Sequence, residues 1–496
     1  MARRKKKTKK KRSSKGPVFT QMPGLFREDI TEEQHVEAIG MLADKFAEKR
    51  DLAFDHIRDF VTKFNPLHVL AVMAAKGLTV SPGGAEKMRL KDAMGRITQD
   101  HVEFLQAMCL TVTLDSAPRE PAGPPEIQRL WDELIALGRG YDLSRMRPLD
   151  MSKSEDAIVR IQERIRAHTR GIRNWGYYHQ VKRIGLGLLE PMDSALLQRL
   201  GFSGSSLVKV LDNLIQTNES RISGHRKRFI PAIRKKNLPE MVKAYSEALP
   251  KSDCSDLLDY FSRNGLTIDQ ARTILLSHSD LELADCFIHD AASVSQKTSV
   301  DIHEVTAIFR AIGLLPGALA GRDAQKFLLD NPVWTSPLVL LGEELVFSCI
   351  PQTAFSFFFE IVAGLVRPHS DLATAWQNRR AAFLEEETTR LLHQALPGSV
   401  VHRNLEWRTA ANAMNGETDL LVLVDSLLLI VEAKSGAISA SSKRGAPGRL
   451  KSEIKELLES PAIQSQRAAA AFVDHISGRT QLHLSDNVDL SKVKYV

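Results

Sequence analysis

Two short apolar runs near the C-terminus form the clearest hydrophobic pattern in the chain. They cover residues 420–424 and 427–431, and only Asp425 and Ser426 separate them. Apolar runs this short, broken by turn-forming residues, predict two buried strands of a hairpin rather than one helix. Neither run alternates with polar residues, so we expect both faces to be covered, as in a central sheet with helices on each side.

The register of this hairpin brings charged residues together. If the two-residue break forms the turn, Asp419 faces Glu432, and by the same register Glu417 faces Lys434. Directly facing side chains have Cβ atoms about 4.5–5.5 Å apart, close enough for two carboxylates to share one cation. Because side chains alternate between faces, Glu432 and Lys434 also share a face. The pattern therefore gathers two or three carboxylates and an ammonium group at one end of an apolar sheet.

The stretches around the hairpin predict the rest of a C-terminal domain over residues 372–496. A first helix is expected at residues 372–396, a first strand at 400–407, and a second helix at 451–476. Residues 493–496 look like the opening of a strand without a continuation, whereas strands usually run five or six residues. Either the domain ends abruptly there, or the chain is a truncated version of a longer protein.

Upstream of this domain, the pattern is mostly helical. Thr31 and Thr267 both begin sequences typical of capping boxes, and Asn65-Pro66 ends one helix and begins another. A small β-hairpin is expected near residues 338–347, followed by a helix. The fold class predicted is α+β, with a large helical N-terminal region followed by an α/β domain that has a mixed central sheet.

Composition and charge indicate a basic N-terminal tail and possible domain boundaries. Ten of the 67 basic residues lie within residues 3–15. The remainder of the chain has 57 basic and 60 acidic residues, which is a net charge of −3. We expect residues 1–20 to be disordered. This tail adds nonspecific affinity for nucleic acid, acts as a nuclear-localisation signal, or only solubilises the chain, and the sequence does not choose between these. The proline-rich segment at 118–125 separates a helical subdomain at 21–117 from a second helical region at 125–366.

The overall composition is ordinary for a soluble globular protein, with 43% hydrophobic and 26% charged residues. No apolar run approaches the length that spans a bilayer, and the N-terminus is too basic for a secretory signal. Four widely scattered cysteines suit a reducing compartment. These features predict a cytoplasmic protein with no membrane partner, nucleoid-associated in a bacterium or nuclear in a eukaryote. The oligomeric state stays open.

The acidic cluster of the hairpin suggests metal chemistry. Facing carboxylates repel each other unless something positive lies between them, and hard divalent cations such as Mg²⁺ prefer oxygen ligands. Such a cation polarises a phosphoryl oxygen and lowers the pKa of a bound water, while Lys434 positions the nucleophile. The pattern therefore favours phosphodiester hydrolysis. The alternative is a plain salt-bridge cluster at the end of a strand.

These residues also resemble a known family signature. Asp419, followed by Glu432-Ala433-Lys434, looks like the motif of the PD-(D/E)XK (restriction-endonuclease-like) nucleases, although the usual proline before the aspartate is absent. The resemblance covers about residues 372–496. It implies a core of a helix, three strands, a second helix and a further strand. It also implies that Asp419 and Glu432 bind Mg²⁺ or Mn²⁺, with the Ala433 carbonyl as an extra ligand.

The same resemblance suggests two supporting residues on the flanking helices. In this superfamily a glutamate of the first helix often reaches the metal, and Glu385 is the choice among three consecutive acids because Thr388 and Leu392 share its side. A glutamine of the second helix, here Gln464, resembles one that several branches place beside the active site. Both residues could equally belong to exposed polar faces.

Basic residues provide candidate contacts to nucleic acid. Lys443 and Arg444 follow the hairpin in a polar loop and could meet the substrate backbone. Arg226, Lys227 and Arg228 lie in the most basic part of the helical region, and Arg166, Arg170 and Arg173 fall on one predicted helical face. Charged helix faces are often only solvated.

Together these patterns predict a metal-dependent nuclease that acts on nucleic acid, with DNA favoured over RNA, in restriction, repair or defence. The helical region would select or position the substrate. The rival hypothesis is a noncatalytic nucleic-acid-binding or scaffolding protein whose nuclease core is incomplete.

Overall fold

The computed structural model describes residues 31–78, 96–114, 119–149, 152–173, 177–249, 256–410 and 414–496. The basic tail at 1–20 and part of the proline-rich segment lie outside these residues. Within the described ranges, no helix is both long enough and apolar enough to cross a membrane.

Eleven described helices build the first half of the chain. Their bounds are α1 (Glu32–Lys63), α2 (Pro66–Gly77), α3 (Gln99–Cys109), α4 (Pro124–Leu143), α5 (Ser154–Gly171), α6 (Tyr178–Leu189), α7 (Asp193–Leu200), α8 (Gly204–Ile233), α9 (Leu238–Ala248), α10 (Leu257–Arg263) and α11 (Ile268–Ser279). The two predicted capping boxes are present at the starts of α1 and α11, where Thr31 and Thr267 accept from backbone N–H groups. Asn65 caps α2, and Pro66 is its first residue, as predicted.

A small sheet with its own helices follows. Its elements are β1 (Ile288–Asp290), α12 (Ala291–Thr298), α13 (Ile302–Ala311), β2 (Gly313–Leu314), β3 (Leu338–Leu340), β4 (Leu345–Phe347), α14 (Gln352–Ser356) and α15 (Phe358–Val366). The predicted hairpin is confirmed as the antiparallel pair β3–β4, within a sheet of order β1-β4-β3-β2. The helix expected after it is interrupted at Phe357, between α14 and α15.

The remaining short helical turns link these elements. They are 3₁₀ turns at Glu190–Met192, Asp280–Glu282, Ala284–Phe287, Ala324–Leu328 and Pro332–Trp334.

The C-terminal part has the predicted order of a helix, three strands, a helix and a strand. Its elements are α16 (Ser370–Ala395), β5 (Val400–Thr409), β6 (Asn415–Val424), β7 (Leu427–Val431), α17 (Ala440–Lys443), α18 (Pro447–Ile454), a π turn (Lys455–Glu459), α19 (Ser460–Ile476) and β8 (Leu482–Leu484). The sheet order is β7-β6-β5-β8, and all three strand pairs are antiparallel. Among the described residues of this sheet, the parallel pairing is one bridge between Leu427 and Tyr495. This bridge confirms the expectation that residues 493–496 lie at the sheet.

The hydrophobic pattern of β7 was misleading in one respect. Leu420, Leu421 and Val422 in β6 are fully buried, as both-face coverage requires. In β7, however, Leu427 and Leu429 are 44% and 37% exposed, so the prediction that both faces are covered is wrong for this strand. β7 is an edge strand of the sheet, and its two exposed leucines alternate with the buried Leu428, so one face of the strand is less covered than the other.

The cores of the chain run across the sequence boundaries. One buried cluster joins residues before the proline-rich segment, such as Leu70 and Phe104, to later ones such as Leu134 and Phe347. A second cluster, built on α6 and α8, includes Leu372 at the start of α16. The C-terminal sheet has its own cluster, in which the small residues of α19 pack closely, as expected. The α+β fold class with a helical N-terminal region is confirmed.

Candidate active site

The β6–β7 hairpin has the predicted register. Leu420 pairs with Val431 and Val424 with Leu427, so each facing pair follows the expected arithmetic. The chain turns at Asp425, whose φ of +51° is a left-handed conformation that aspartate tolerates. Continued by one pair, this register sets Asp419 opposite Glu432.

Hydrogen bonds confirm that Asp419, Glu432 and Lys434 come together. The Lys434 Nζ atom lies 3.2 Å from Asp419 Oδ2 and 3.1 Å from Glu432 Oε2. The main-chain N–H of Ala433 donates to the same Asp419 oxygen at 2.7 Å. Glu417, which the register sets opposite Lys434, is exposed at the surface. The carboxylate pair and the ammonium group therefore form one compact cluster at the end of β7, which we name the carboxylate cluster.

Burial and charge perturb the groups of the carboxylate cluster. Burial raises the pKa of Glu432, whose side chain is only 4% exposed, and the neighbouring Asp419 charge raises this pKa further. Burial opposes the charge of Lys434, but its hydrogen bonds to Glu432 and Asp419 outweigh that effect and raise the Lys434 pKa. Lys434 is consequently an ammonium ion at neutral pH.

The cluster fits a divalent cation in its donor chemistry. Glu432 Oε1 is buried and has no hydrogen-bond partner among the described residues, so one carboxylate oxygen is left without a donor. Mg²⁺ commonly binds proteins through one or two carboxylates, with water and substrate phosphate filling the other positions. Within the described residues, no group of three or more His, Cys, Asp or Glu side chains is arranged to hold an ion. Asp419 and Glu432 are the two carboxylates of the cluster that could hold a cation.

Glu385 reaches the neighbouring strand rather than the carboxylate cluster. Its Oε2 atom lies 3.3 Å from the Arg403 guanidinium and 3.4 Å from Asn404 Nδ2. Asn404 lies between the Arg403–Leu420 and Leu405–Thr418 pairs and has a φ of +50°. The first helix therefore brings Glu385 against β5, the strand next to the one that carries Asp419, where its carboxylate pairs with Arg403.

Gln464 lies against the first half of β6. Its Nε2 atom donates to the Glu417 carbonyl at 2.9 Å, two residues before Asp419. Arg467, one turn later on α19, lies 3.3 Å from the Asn415 carbonyl. Both side chains thus fasten α19 to the backbone of the strand, and the Gln464 amide is used for that contact.

The predicted nucleic-acid contacts of the loop are engaged within the molecule. Lys443 Nζ lies 2.7 Å from Glu360 Oε1, and Arg444 pairs with Asp330 at 3.0 Å. Both acids belong to the region before α16. The two cations therefore link the C-terminal domain to the helical region.

The basic segment of α8 is divided between internal contacts and solvent. Arg226 donates to the Ala75 carbonyl at 2.8 Å, and Arg228 pairs with Glu282 while lying over the Phe229 ring. Lys227 is exposed. Arg228 also keeps 44% of its side-chain surface exposed in its ion pair.

Arg380 is a residue of this site that the sequence pattern did not indicate. Its guanidinium donates to the carbonyl of Ser435, directly after Lys434. Gly436 follows, and a side chain there would collide with Leu457 from the π turn. The last paired residue of β7 is Val431, so residues 432–434 have no ladder partner. The contacts of Arg380 with Ser435 and of Leu457 with Gly436 therefore hold the segment that follows the strand. Nothing in the sequence connects Arg380 with Ser435.

Comparisons of the chain with protein families, with curated proteins and with solved structures found no match.

Proposed function

We propose that the C-terminal domain is a divalent-cation-dependent nuclease that hydrolyses phosphodiester bonds, with DNA as its substrate. The observation that carries the proposal is the convergence of the Asp419 and Glu432 carboxylates on Lys434 Nζ. The order of helices and strands agrees with the core that the PD-(D/E)XK resemblance implies. An enzyme that cuts DNA must share a compartment with it, so the proposal includes a cytoplasmic location, or a nuclear one in a eukaryote.

The residues of the carboxylate cluster have separate roles in this proposal. Asp419 and Glu432 would hold Mg²⁺ or Mn²⁺, with the Ala433 carbonyl as the further ligand that the resemblance implies. The ion supplies a Lewis acid that polarises the phosphoryl oxygen and lowers the pKa of a bound water. Lys434 is charged at neutral pH, so it cannot accept a proton from the attacking water. It donates hydrogen bonds that orient the water and offset the charge that develops on the phosphate.

The second candidate is a noncatalytic protein that binds nucleic acid or serves as a scaffold. One observation favours it: Glu385, the acid expected to join the metal ligands, pairs with Arg403 instead. In this case the carboxylate cluster is a salt-bridge cluster in which Lys434 permanently offsets part of the charge of the two acids.

Cation binding and cleavage separate the two candidates. Calorimetric titration with Mg²⁺ and Mn²⁺, on the parent protein and on Asp419→Asn, reports binding without assuming a substrate. Cleavage is then measured on labelled double-stranded DNA, single-stranded DNA and RNA. The nuclease proposal expects cation binding and DNA cleavage that both disappear in the variant. A parent protein that binds nucleic acid but neither binds the cations nor cuts any of the three substrates would support the scaffold instead.

A further inference from the structure

Three consecutive carbonyls at the C-terminal end of α17 are held by side chains of one helix. We name residues 443–445 the clasped segment. The donors are spaced along one face of α5, one for each carbonyl: Gln162 to Gly445 at 2.6 Å, Arg166 to Arg444 at 2.8 Å and Thr169 to Lys443 at 3.1 Å. The backbone of the clasped segment is thereby fixed to the helical region independently of its own side chains.

The side chains of the clasped segment are held by two different acids. Lys443 pairs with Glu360 on α15, and Arg444 pairs with Asp330. The pairs are not sealed from solvent, because the Lys443 and Arg444 side chains remain 24% and 40% exposed. Exposed ion pairs are weak, and a phosphate group offers the same charge and the same acceptor oxygens as a carboxylate.

We infer that Glu360 and Asp330 gate the candidate active site by competing with nucleic-acid phosphate for Lys443 and Arg444. The inference rests on the proposed function, because it concerns access of substrate to that site. Substrate phosphates must displace both acids before the clasped segment contributes to binding. A polyanion that reaches both cations at once can do so, whereas isolated phosphates cannot gain two contacts together.

Arg380 relates the gate to the carboxylate cluster. Burial lowers the pKa of Arg380, and the nearby charge of Glu360 partly opposes that shift. Arg380 in turn donates to the Ser435 carbonyl, next to Lys434. Glu360 therefore acts electrostatically on the residue that anchors the segment after Lys434.

DNA binding without divalent cation tests the gate independently of cleavage. The gate variant combines Glu360→Gln with Asp330→Asn, which removes both charges and nearly preserves shape. The matched control combines Glu343→Gln with Asp259→Asn, which removes the same charge from exposed pairs with Arg310 and Arg263. Affinity for a short labelled DNA duplex is read by fluorescence anisotropy over a range of salt concentrations, with EDTA present, and thermal unfolding confirms that each variant is folded.

The gate variant should bind DNA about tenfold more tightly than the control at low salt. Its plot of log affinity against log salt should be steeper by about one for each cation released. Neutralising the cations, with Lys443→Gln and Arg444→Gln together, should change the parent little but cancel the gain in the gate variant. Such non-additivity is the signature of groups that act on each other.

The gate is overturned if the folded gate variant binds no more tightly than the control. It is also overturned if neutralising the cations weakens the parent as much as the gate variant, or if neither protein binds DNA. Failure of the nuclease proposal looks different. In that case the gate variant binds tightly, yet neither it nor the parent cuts DNA when Mg²⁺ or Mn²⁺ is added.

Discussion

The main-chain N–H of Ala433 donates a 2.7 Å hydrogen bond to Oδ2 of Asp419. This bond carries the cross-strand register one step past the last paired residues of β6 and β7. Because Ala433 lies between Glu432 and Lys434, the same bond turns both functional side chains back towards Asp419. Asp419 is therefore a backbone acceptor as well as a candidate metal ligand, and variants at this position have to separate the two roles.

Asp419→Asn makes that separation, because the amide oxygen can still accept from the Ala433 N–H while the negative charge is lost. We expect near-parental thermal stability, loss of Mg²⁺ binding and loss of cation-dependent cleavage. Asp419→Ala removes both roles and should also lower the unfolding temperature. Calorimetry, cleavage assays and thermal unfolding check these outcomes. Full cleavage activity in Asp419→Asn, on a substrate that the parent cuts, is incompatible with the proposed mechanism.

Lys434→Ala should slow cleavage without weakening cation binding. The ammonium group contacts both carboxylates, so its removal leaves their charge uncompensated and should leave Mg²⁺ affinity equal or higher. Loss of a preorganised donor of this kind typically costs about 100- to 1,000-fold in rate. Lys451→Ala, at an exposed position of α18, serves as the control and should change neither quantity. Loss of Mg²⁺ binding in Lys434→Ala would make the lysine a structural element of the site.

The raised pKa of Glu432 predicts a pH dependence for cation binding. A proton competes with the cation for this carboxylate, so affinity should begin to fall at a higher pH than for an ordinary glutamate. Titrating Mg²⁺ affinity against pH, with thermal unfolding as a check that the fold persists, measures the effect. An affinity that stays constant down to the ordinary glutamate range would contradict it.

The same pKa shift has a consequence for stability. A group whose folded pKa lies above its unfolded value contributes stability that is complete below the unfolded value and is lost as pH rises through the folded value. At neutral pH, without divalent cation, Glu432→Gln should therefore unfold at a higher temperature than the parent, and the difference should shrink in acid. The result that counts against this is a Glu432→Gln variant destabilised equally at every pH.

Glu103 and Arg173 form a buried ion pair on which the helical region depends. Glu103 is fully buried and also accepts hydrogen bonds from Trp334 Nε1 and Thr353 Oγ1. Glu103→Ala leaves an uncompensated buried guanidinium, so its free energy of unfolding should fall by about 3–5 kcal/mol. Asp55→Ala, from a surface pair, should cost less than about 1 kcal/mol. Urea denaturation measures the free energy of unfolding of both variants. Equal losses in the two variants would show that the buried ion pair stabilises the fold no more than the surface pair does.

Deleting residues 1–16 tests the basic tail. The remainder of the chain is slightly acidic, so the truncated protein should bind nucleic acid more weakly and with a flatter salt dependence. An unchanged affinity and salt slope would leave the tail as a solubiliser.

The hairpin could be predicted because its geometry is local. Two apolar runs and a two-residue break determine a register, and the register determines which residues face each other. The placement of Asp419 against Glu432 and Lys434 followed from that arithmetic. The edge position of β7 did not, because an apolar run does not reveal how many strands lie beyond it.

The ion-pair partners of the arginines and lysines could not be predicted because these partners are distant in sequence. Arg170 and Arg173 lie on a face that reads as solvated or phosphate-binding, yet they pair with Asp100 and Glu103 of α3. Lys443 likewise pairs with an acid of α15. Periodicity identifies a charged face of a helix, but which side packs inward depends on tertiary contacts that no local pattern contains.

The π turn at Lys455–Glu459 holds one more residue than an α-helical turn would need. Removing a single residue there would restore regular winding and rotate α18 against α19 by about 100°. Leu457 would then no longer pack against Gly436, and Glu453 would lose the hydrogen bond that it accepts from the Ser439 N–H. A relative without the π turn would consequently align with a one-residue gap in this helix. That gap would mark a chain in which the loop after Lys434 is built differently.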